Sequence, residues 1–114
     1  MVTTMLNTKK ATSKAAGAEN KAVLRRIQIQ RAAGLLKHIS DPTRLQVISL
    51  LSERERHVMG LCQELTQRQP AVSHHLTILR LGGIIDRRRQ GKNNFYGLTH
   101  TGERLSDIVK AVVR

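Results

Sequence analysis

Acid is in short supply in this sequence. Its 114 residues carry 20 lysines and arginines against 8 aspartates and glutamates, a formal net charge of +12. From Thr66 through Ile85 there is no acidic residue. Such a balance favours a polyanionic partner, with nucleic acid the default and an anionic membrane surface the rival. Aromatics are scarcer still: Phe95, Tyr96 and no tryptophan. Single strands and RNA are gripped by stacking platforms, so the shortage argues against them and for a duplex. A single cysteine, Cys62, excludes an internal disulfide framework and suits a reducing compartment. No apolar run approaches the ~20 residues of a membrane span. The N-terminus has no continuous apolar stretch of the kind a secretory signal needs. It does carry Lys, Ser and Thr without acid up to Glu19, so a targeting tail stays open. The expectation is a cytoplasmic protein without a membrane role. Neither paired carboxylates nor a glycine-rich phosphate loop occurs, so no enzyme is expected.

What is present is organised around Gln69 to Arg80, QPAVSHHLTILR. Val72, Leu76 and Leu79 recur at helical spacing and make one apolar stripe. The opposite face carries Gln69, Ser73, His74, Thr77 and Arg80. These are short donors and acceptors ending in a cation, which suits a helix laid against base edges and away from carboxylate–phosphate repulsion. His57 to Leu65 reads as a short helix before it, and Thr66 to Arg68 as the turn between them. After it, Gly82 and Gly83 lead into two strands, Ile84–Gln90 and Asn93–Thr99, around Gln90-Gly91-Lys92. Arg87, Arg88, Arg89 and Lys92 crowd this hairpin against Asp86 alone, and phosphate contact is the favoured reading over a merely solvated face.

The remaining elements follow in order. Residues 1–18 are polar and basic without an apolar stripe, and are expected to form a disordered tail. Lys9, Lys10 and Lys14 in it are either solvated or within reach of phosphates. Residues 19–114 are expected to form one domain. A long first helix, Glu19–Ile39, carries Val23, Leu24, Ile27, Leu35, Leu36 and Ile39. Its length exceeds what one small core needs, which points to a second subunit. Asp41-Pro42 is a capping pair for a second helix holding Leu45, Val47, Ile48, Leu50 and Leu51, the expected heart of the core. Ser52–Arg56 reads as a charged connection. Val58, Leu61, Cys62 and Leu65 form the inner face of the third helix, so Cys62 reads as a buried thiol. In the closing helix, His100–Val113, the positions Leu105, Ile108, Val109 and Val112 make one stripe. With Val23, Leu24 and Ile27 they are the expected dimerisation residues.

The fold class expected is mainly α (α+β): a winged helix-turn-helix of three helices, a recognition helix, a two-stranded wing and a last helix, homodimeric. In that order, LKHISDPTRLQVISLL, QPAVSHHLTILRLGGII and RRRQGKNNFYGLT together resemble the ArsR/SmtB family of bacterial winged-helix repressors. The resemblance implies a homodimer on a palindromic operator in double-stranded DNA, usually as a repressor. It implies metal sensing much less well. The family's third-helix sensor is a Cys-x-Cys pair, and His57 and Met59 stand there; Cys62 lies one turn on. Its last-helix sensor uses paired Asp/His and His/Glu ligands, and here only His100 matches, with Gly102 and Val113 at other positions. No metal and no cofactor is therefore expected, and the inducer stays open. The turn departs as well: Thr66 stands where the family often has Gly, and Arg68 where it has a capping Ser. Arg68 can instead reach a phosphate beside the helix N-terminus.

The expected interface is thus Arg68, Gln69, Ser73, His74, Thr77, Arg80, Arg87, Arg88, Arg89 and Lys92. Gln69, Ser73, His74 and Thr77 are the base readers, and the cations hold backbone phosphates. His75, beside Leu76 and Leu79, reads as half-buried packing. The alternatives are a winged-helix module that binds protein, with incidental charge, and a non-specific DNA-binding protein.

Overall fold

The structure, a computed structural model, describes the backbone of residues 2–114 and side chains from Lys14 onward. The side chains of Lys9 and Lys10 lie outside the described residues. The elements are α1 (Val2–Ile39), α2 (Pro42–Glu53), β1 (Arg56–His57), α3 (Val58–Leu65), α4 (Gln69–Leu81), β2 (Ile85–Gln90), β3 (Asn93–Leu98) and α5 (His100–Val112). Two compact units result, one ending at Gly34 and one spanning Leu35–Arg114. Sequence reading begins the first helix at Glu19 and divides the chain there. The helix instead starts at Val2, and the stretch expected to be a disordered tail is helical over 2–18. Ala, Lys, Met and Leu are good helix formers and no proline intervenes, so backbone propensity runs on where the apolar stripe does not. Among the described residues no helix is long and apolar enough to cross a membrane.

The unit from Leu35 holds the core. Val47, Ile48 and Leu51 of α2 meet Leu61 and Cys62 of α3, Val72, Leu76 and Leu79 of α4, Ile84, Ile85, Tyr96 and Leu105. Each fully buried Leu or Val contributes about 1.5–3 kcal/mol of burial. The Asp41 side chain accepts the Arg44 N–H at 3.0 Å, and Pro42 opens α2 where no amide partner is lost. The same backbone hydrogen bond, more than the nearby His75 and Arg44 charges, lowers the Asp41 pKa.

α3 ends on Thr66, at φ +53° and ψ +46°. The left-handed residue lets Gln67 N–H reach back to Cys62 O at 3.1 Å, closing the helix and turning the chain into α4. A β-branched residue is strained there, which is the physical sense of the glycine that the resembling family often has at this place. A side chain–side chain bond braces the turn: Gln67 Nε2 donates to Thr43 Oγ1 at 3.0 Å.

The sheet has three strands in the order β1-β3-β2, all antiparallel. Gly91, at φ +62°, and Lys92 make the two-residue turn of the β2–β3 hairpin. By sequence, Arg56 of β1 reads as the end of a connection and His57 as the start of the third helix. The two residues of β1 give no alternation to read, and the strand forms by pairing Arg56 with Tyr96 and His57 with Phe95, far along the chain. Arg56 is only 7% exposed; its guanidinium donates to Glu53 at 2.7 Å and to Glu64, tying α2, β1 and α3 together. Thr99 then caps α5, accepting from Gly102 N–H and donating to Gly83 O and Ile84 O. α5 starts so close to this junction that a Cβ on Gly102 would lie 2.1 Å from Ile84 O.

Candidate nucleic-acid interface

α4 divides cleanly by face. Val72, Leu76 and Leu79 are buried; Gln69, His74, Thr77 and Arg80 are exposed and Ser73 half-buried. Thr77 Oγ1 donates to Ser73 O at 2.9 Å, so its proton is engaged and it offers lone pairs and a methyl group outward. Arg68 stands at the head of the helix without making a side-chain cap, and Arg80 in its last turn. The dipole at that head favours an anion. Among the described residues no hydrogen bond or ion pair engages the side chain of Arg68, Arg80, Arg87 or Lys92.

His75 sits on the α2 side of the helix, half-buried. Its Nδ1 lies 3.3 Å from Arg44 Nη1 and 3.8 Å from the Asp41 carboxylate. Arg44 Nε in turn donates to His38 O at 2.5 Å. His75 is half-buried, as its place beside Leu76 and Leu79 predicts, and it braces α4 against α2 through polar partners that this place does not reveal.

The wing sorts its cations by strand alternation. Arg87 and Arg89 share the side of Ile85, while Asp86, Arg88 and Gln90 take the other. Arg87 and Asp86 line, with Thr77, Arg80, Leu81 and Ile85, a groove between α4 and β2, where Leu81 is 82% exposed. Arg89 Nε donates to Gly91 O at 3.2 Å at the hairpin tip. Arg88 is held differently. It donates to Glu55 Oε2 at 2.8 and 3.3 Å and to Gln90 Oε1 at 3.0 Å, and its guanidinium lies 5.1 Å from the Phe95 ring centre. The hydrogen bond lowers the Glu55 pKa and raises that of Arg88. Arg88, expected among the phosphate-binding cations, is therefore locally neutralised. Sequence reading missed Glu55 because its partner lies 33 residues away and no local pattern marks the pair.

The expected dimerisation residues also separate. Val23, Leu24, Ile27, Ile108 and Val112 are exposed. Leu105 is 5% exposed and belongs to the subunit's own core, with Val109 packed partly against it. The stripe of α5 is broad enough to straddle two surfaces, and its 105/109 edge turns inward.

The family-type metal sites fit these residues poorly. His57 Nδ1 accepts the Met59 N–H at 3.2 Å as the cap of α3, and the ring packs edge-on against Phe95. Met59 is exposed and Cys62 buried in the core. Gly102 supplies no donor, and its contact with Ile84 O leaves no room for one. Among the described residues no three His, Cys, Asp or Glu side chains converge.

An exposed, acid-free helix face, set by a preceding helix and turn and flanked by a basic hairpin, defines a winged helix-turn-helix DNA-binding protein. The sequence model of the bacterial regulatory protein arsR family matches residues 41–87. An uncharacterised HTH-type transcriptional regulator of Methanocaldococcus jannaschii is 39% identical over 84 residues, 73% of this chain and 92% of that one. The crystal structure of the transcriptional repressor BigR from Xylella fastidiosa superposes with a TM-score of 0.70 at 34% identity, over 77% of this chain and 88% of that one. So does the homodimeric winged helix-turn-helix DNA-binding domain of a possible ArsR-family regulator from Mycobacterium bovis, with a TM-score of 0.70 at 26% identity over 78% and 83%. The chain belongs to the arsR family of bacterial regulatory proteins, which are transcriptional regulators.

Proposed function

We propose that this regulator is a cytoplasmic repressor that binds a palindromic operator as a homodimer, each subunit laying α4 in a major groove and its wing on the flanking backbone. The observation that carries this is the α4 face itself: Gln69, Ser73, His74 and Thr77 lie between unengaged Arg68 and Arg80 with no carboxylate among them. Gln69 suits adenine in a two-bond contact, and Ser73 is permissive. Arg68, Arg80, Arg87, Arg89 and Lys92 take phosphates; Arg88 joins them only by leaving Glu55. The exposed Val23, Leu24, Ile27, Ile108 and Val112 support pairing of subunits, as does the homodimeric relative. Two subunits set half-sites roughly 10 base pairs apart, or a multiple.

We also infer that the operator is released without the family-type metal sites, because His57 is spent on capping α3, Gly102 and Val113 bring no donor, and Met59 and His100 alone are too few ligands. Selection of bound duplexes from a random pool, with and without zinc, copper(I) and arsenite, tests both statements. A two-fold symmetric consensus insensitive to the ions is the expected result. A protein that selects no duplex at low salt points instead to a winged-helix module for protein partners, and tight ion binding overturns the second statement.

A further inference from the structure

Three of the chain's 8 acidic residues line one cavity. It lies where the end of α2, β3 and α5 meet, and brings together Glu55, Glu103, Asp107, Ser106 and Lys110 in a volume of about 430 Å³. That is within the ~300–1,000 Å³ of ordinary small-molecule sites. Glu103 and Asp107 form no ion pair among the described residues, nor does Lys110. On a chain of net charge +12 the cavity is a local excess of negative charge. A second feature is independent of that charge. Ser106 is 4% exposed and lines the cavity, and its hydroxyl has no hydrogen-bond partner among the described residues. The hydroxyl is not among the fully buried atoms left without a partner, which among the described residues are represented by Arg56 Nε alone; it stays accessible at the cavity wall, where it can serve a polar ligand group.

The geometry selects the kind of cation. Three carboxylates do not converge on a point, so a lone metal ion has no cage here. Glu103 and Asp107 are one helical turn apart, about 6 Å along the axis. That spacing suits two ammonium groups joined by a short aliphatic chain. Leu51 and Leu98 supply apolar wall for the methylenes between them. We propose that this cavity is a binding site for a linear aliphatic di- or polyamine, held by Glu103, Asp107 and Ser106, and that Glu55 links it to the wing. Glu55 is shared: it lines the cavity, and its carboxylate holds Arg88. An ammonium group that takes Glu55 frees Arg88 for phosphate, and by reciprocity bound DNA strengthens amine binding. This consequence for DNA rests on the wing contact proposed above; the site does not.

Calorimetric titration of the whole protein in low-salt buffer without DNA tests the site separately from duplex binding. The probes are putrescine, spermidine and magnesium chloride. Expected is saturable one-site binding of an amine that magnesium does not displace. The pair Glu103→Gln with Asp107→Asn, both exposed, should weaken it roughly tenfold or more, since two charge-assisted hydrogen bonds are lost. Ser106→Ala should weaken it less, and thermal melts confirm that each variant folds. Arg88→Ala should tighten it several-fold by releasing Glu55. The absence of saturable heat for both amines, wild-type affinity in the double variant, or equal competition by magnesium overturns the site. Unchanged affinity in Arg88→Ala overturns the link through Glu55.

Discussion

The reading helix and the wing both present cations, but different forces arrange them. On α4, presentation follows from local periodicity: burying Val72, Leu76 and Leu79 leaves Gln69, His74, Thr77 and Arg80 no direction but outward. On the wing, alternation puts Arg87 and Arg88 on opposite sides, and a distant carboxylate then decides which one is engaged. The helix carries its function in its own residues. The wing borrows part of its function from Glu55.

The largest expected effect separates the two faces of α4. Leu76→Ala should cost about 2–5 kcal/mol of stability in urea denaturation, by leaving a cavity in the core. His74→Ala should stay within roughly 0.5 kcal/mol. Comparable losses at both positions would remove the division of faces. Next comes reading itself. Ser73→Ala combined with His74→Ala should cost about 1–3 kcal/mol of discrimination between operator and random duplex, with binding to random duplex retained. Discrimination that survives this change would assign base reading to the wing.

Within the wing, Arg87→Ala should reduce the slope of log affinity against log salt by about one unit, equally for all sequences. Arg88→Ala should reduce it less, and Glu55→Gln should raise affinity for every duplex. Identical slopes for the two arginine variants would show that the ion pair does not restrain Arg88. The turn offers a similarly sized change in stability. Thr66→Gly should stabilise the fold by about 1 kcal/mol by relieving a left-handed β-branched residue, with part of the gain offset by glycine's entropy. A destabilised Thr66→Gly would contradict the turn geometry. The smallest effect is a titration. The Glu55 carboxyl should titrate by NMR below the ordinary glutamate range, and Arg88→Ala should return it there. Because the folded pKa is depressed, the pair's contribution is present above the unfolded value and disappears as pH falls through the folded one. Exposure makes that contribution small.

Much of the fold was legible because strong local signals coincide with it. Asp41-Pro42 marks the start of α2, the stripe of Val72, Leu76 and Leu79 marks α4, and Gly91 marks the hairpin. Three features were not legible. β1 is two residues long and exists only through its register with β3. The apolar residues of α5 form one stripe in sequence, yet Leu105 enters the core and Ile108 does not, because α2 and β3 cover only one edge. His75 reads as packing by position, while its ring meets Arg44 and Asp41.

The candidate interface shows the same limit. Its residue types and spacing on α4 follow from the chain, since a helix sets its own faces. Which wing cations are unengaged does not follow, since Arg87 and Arg88 are neighbours of identical chemistry.

Composition, periodicity and turn residues determined by themselves that this chain builds a basic helix-turn-helix with a wing, because those signals act over a few residues. Only the tertiary structure decided that Glu55 restrains Arg88, that Arg56 is buried between Glu53 and Glu64, and that Glu55, Glu103 and Asp107 line one cavity with Ser106. Charges close in space and far apart in sequence interact through distance and desolvation, and neither quantity is written in local order.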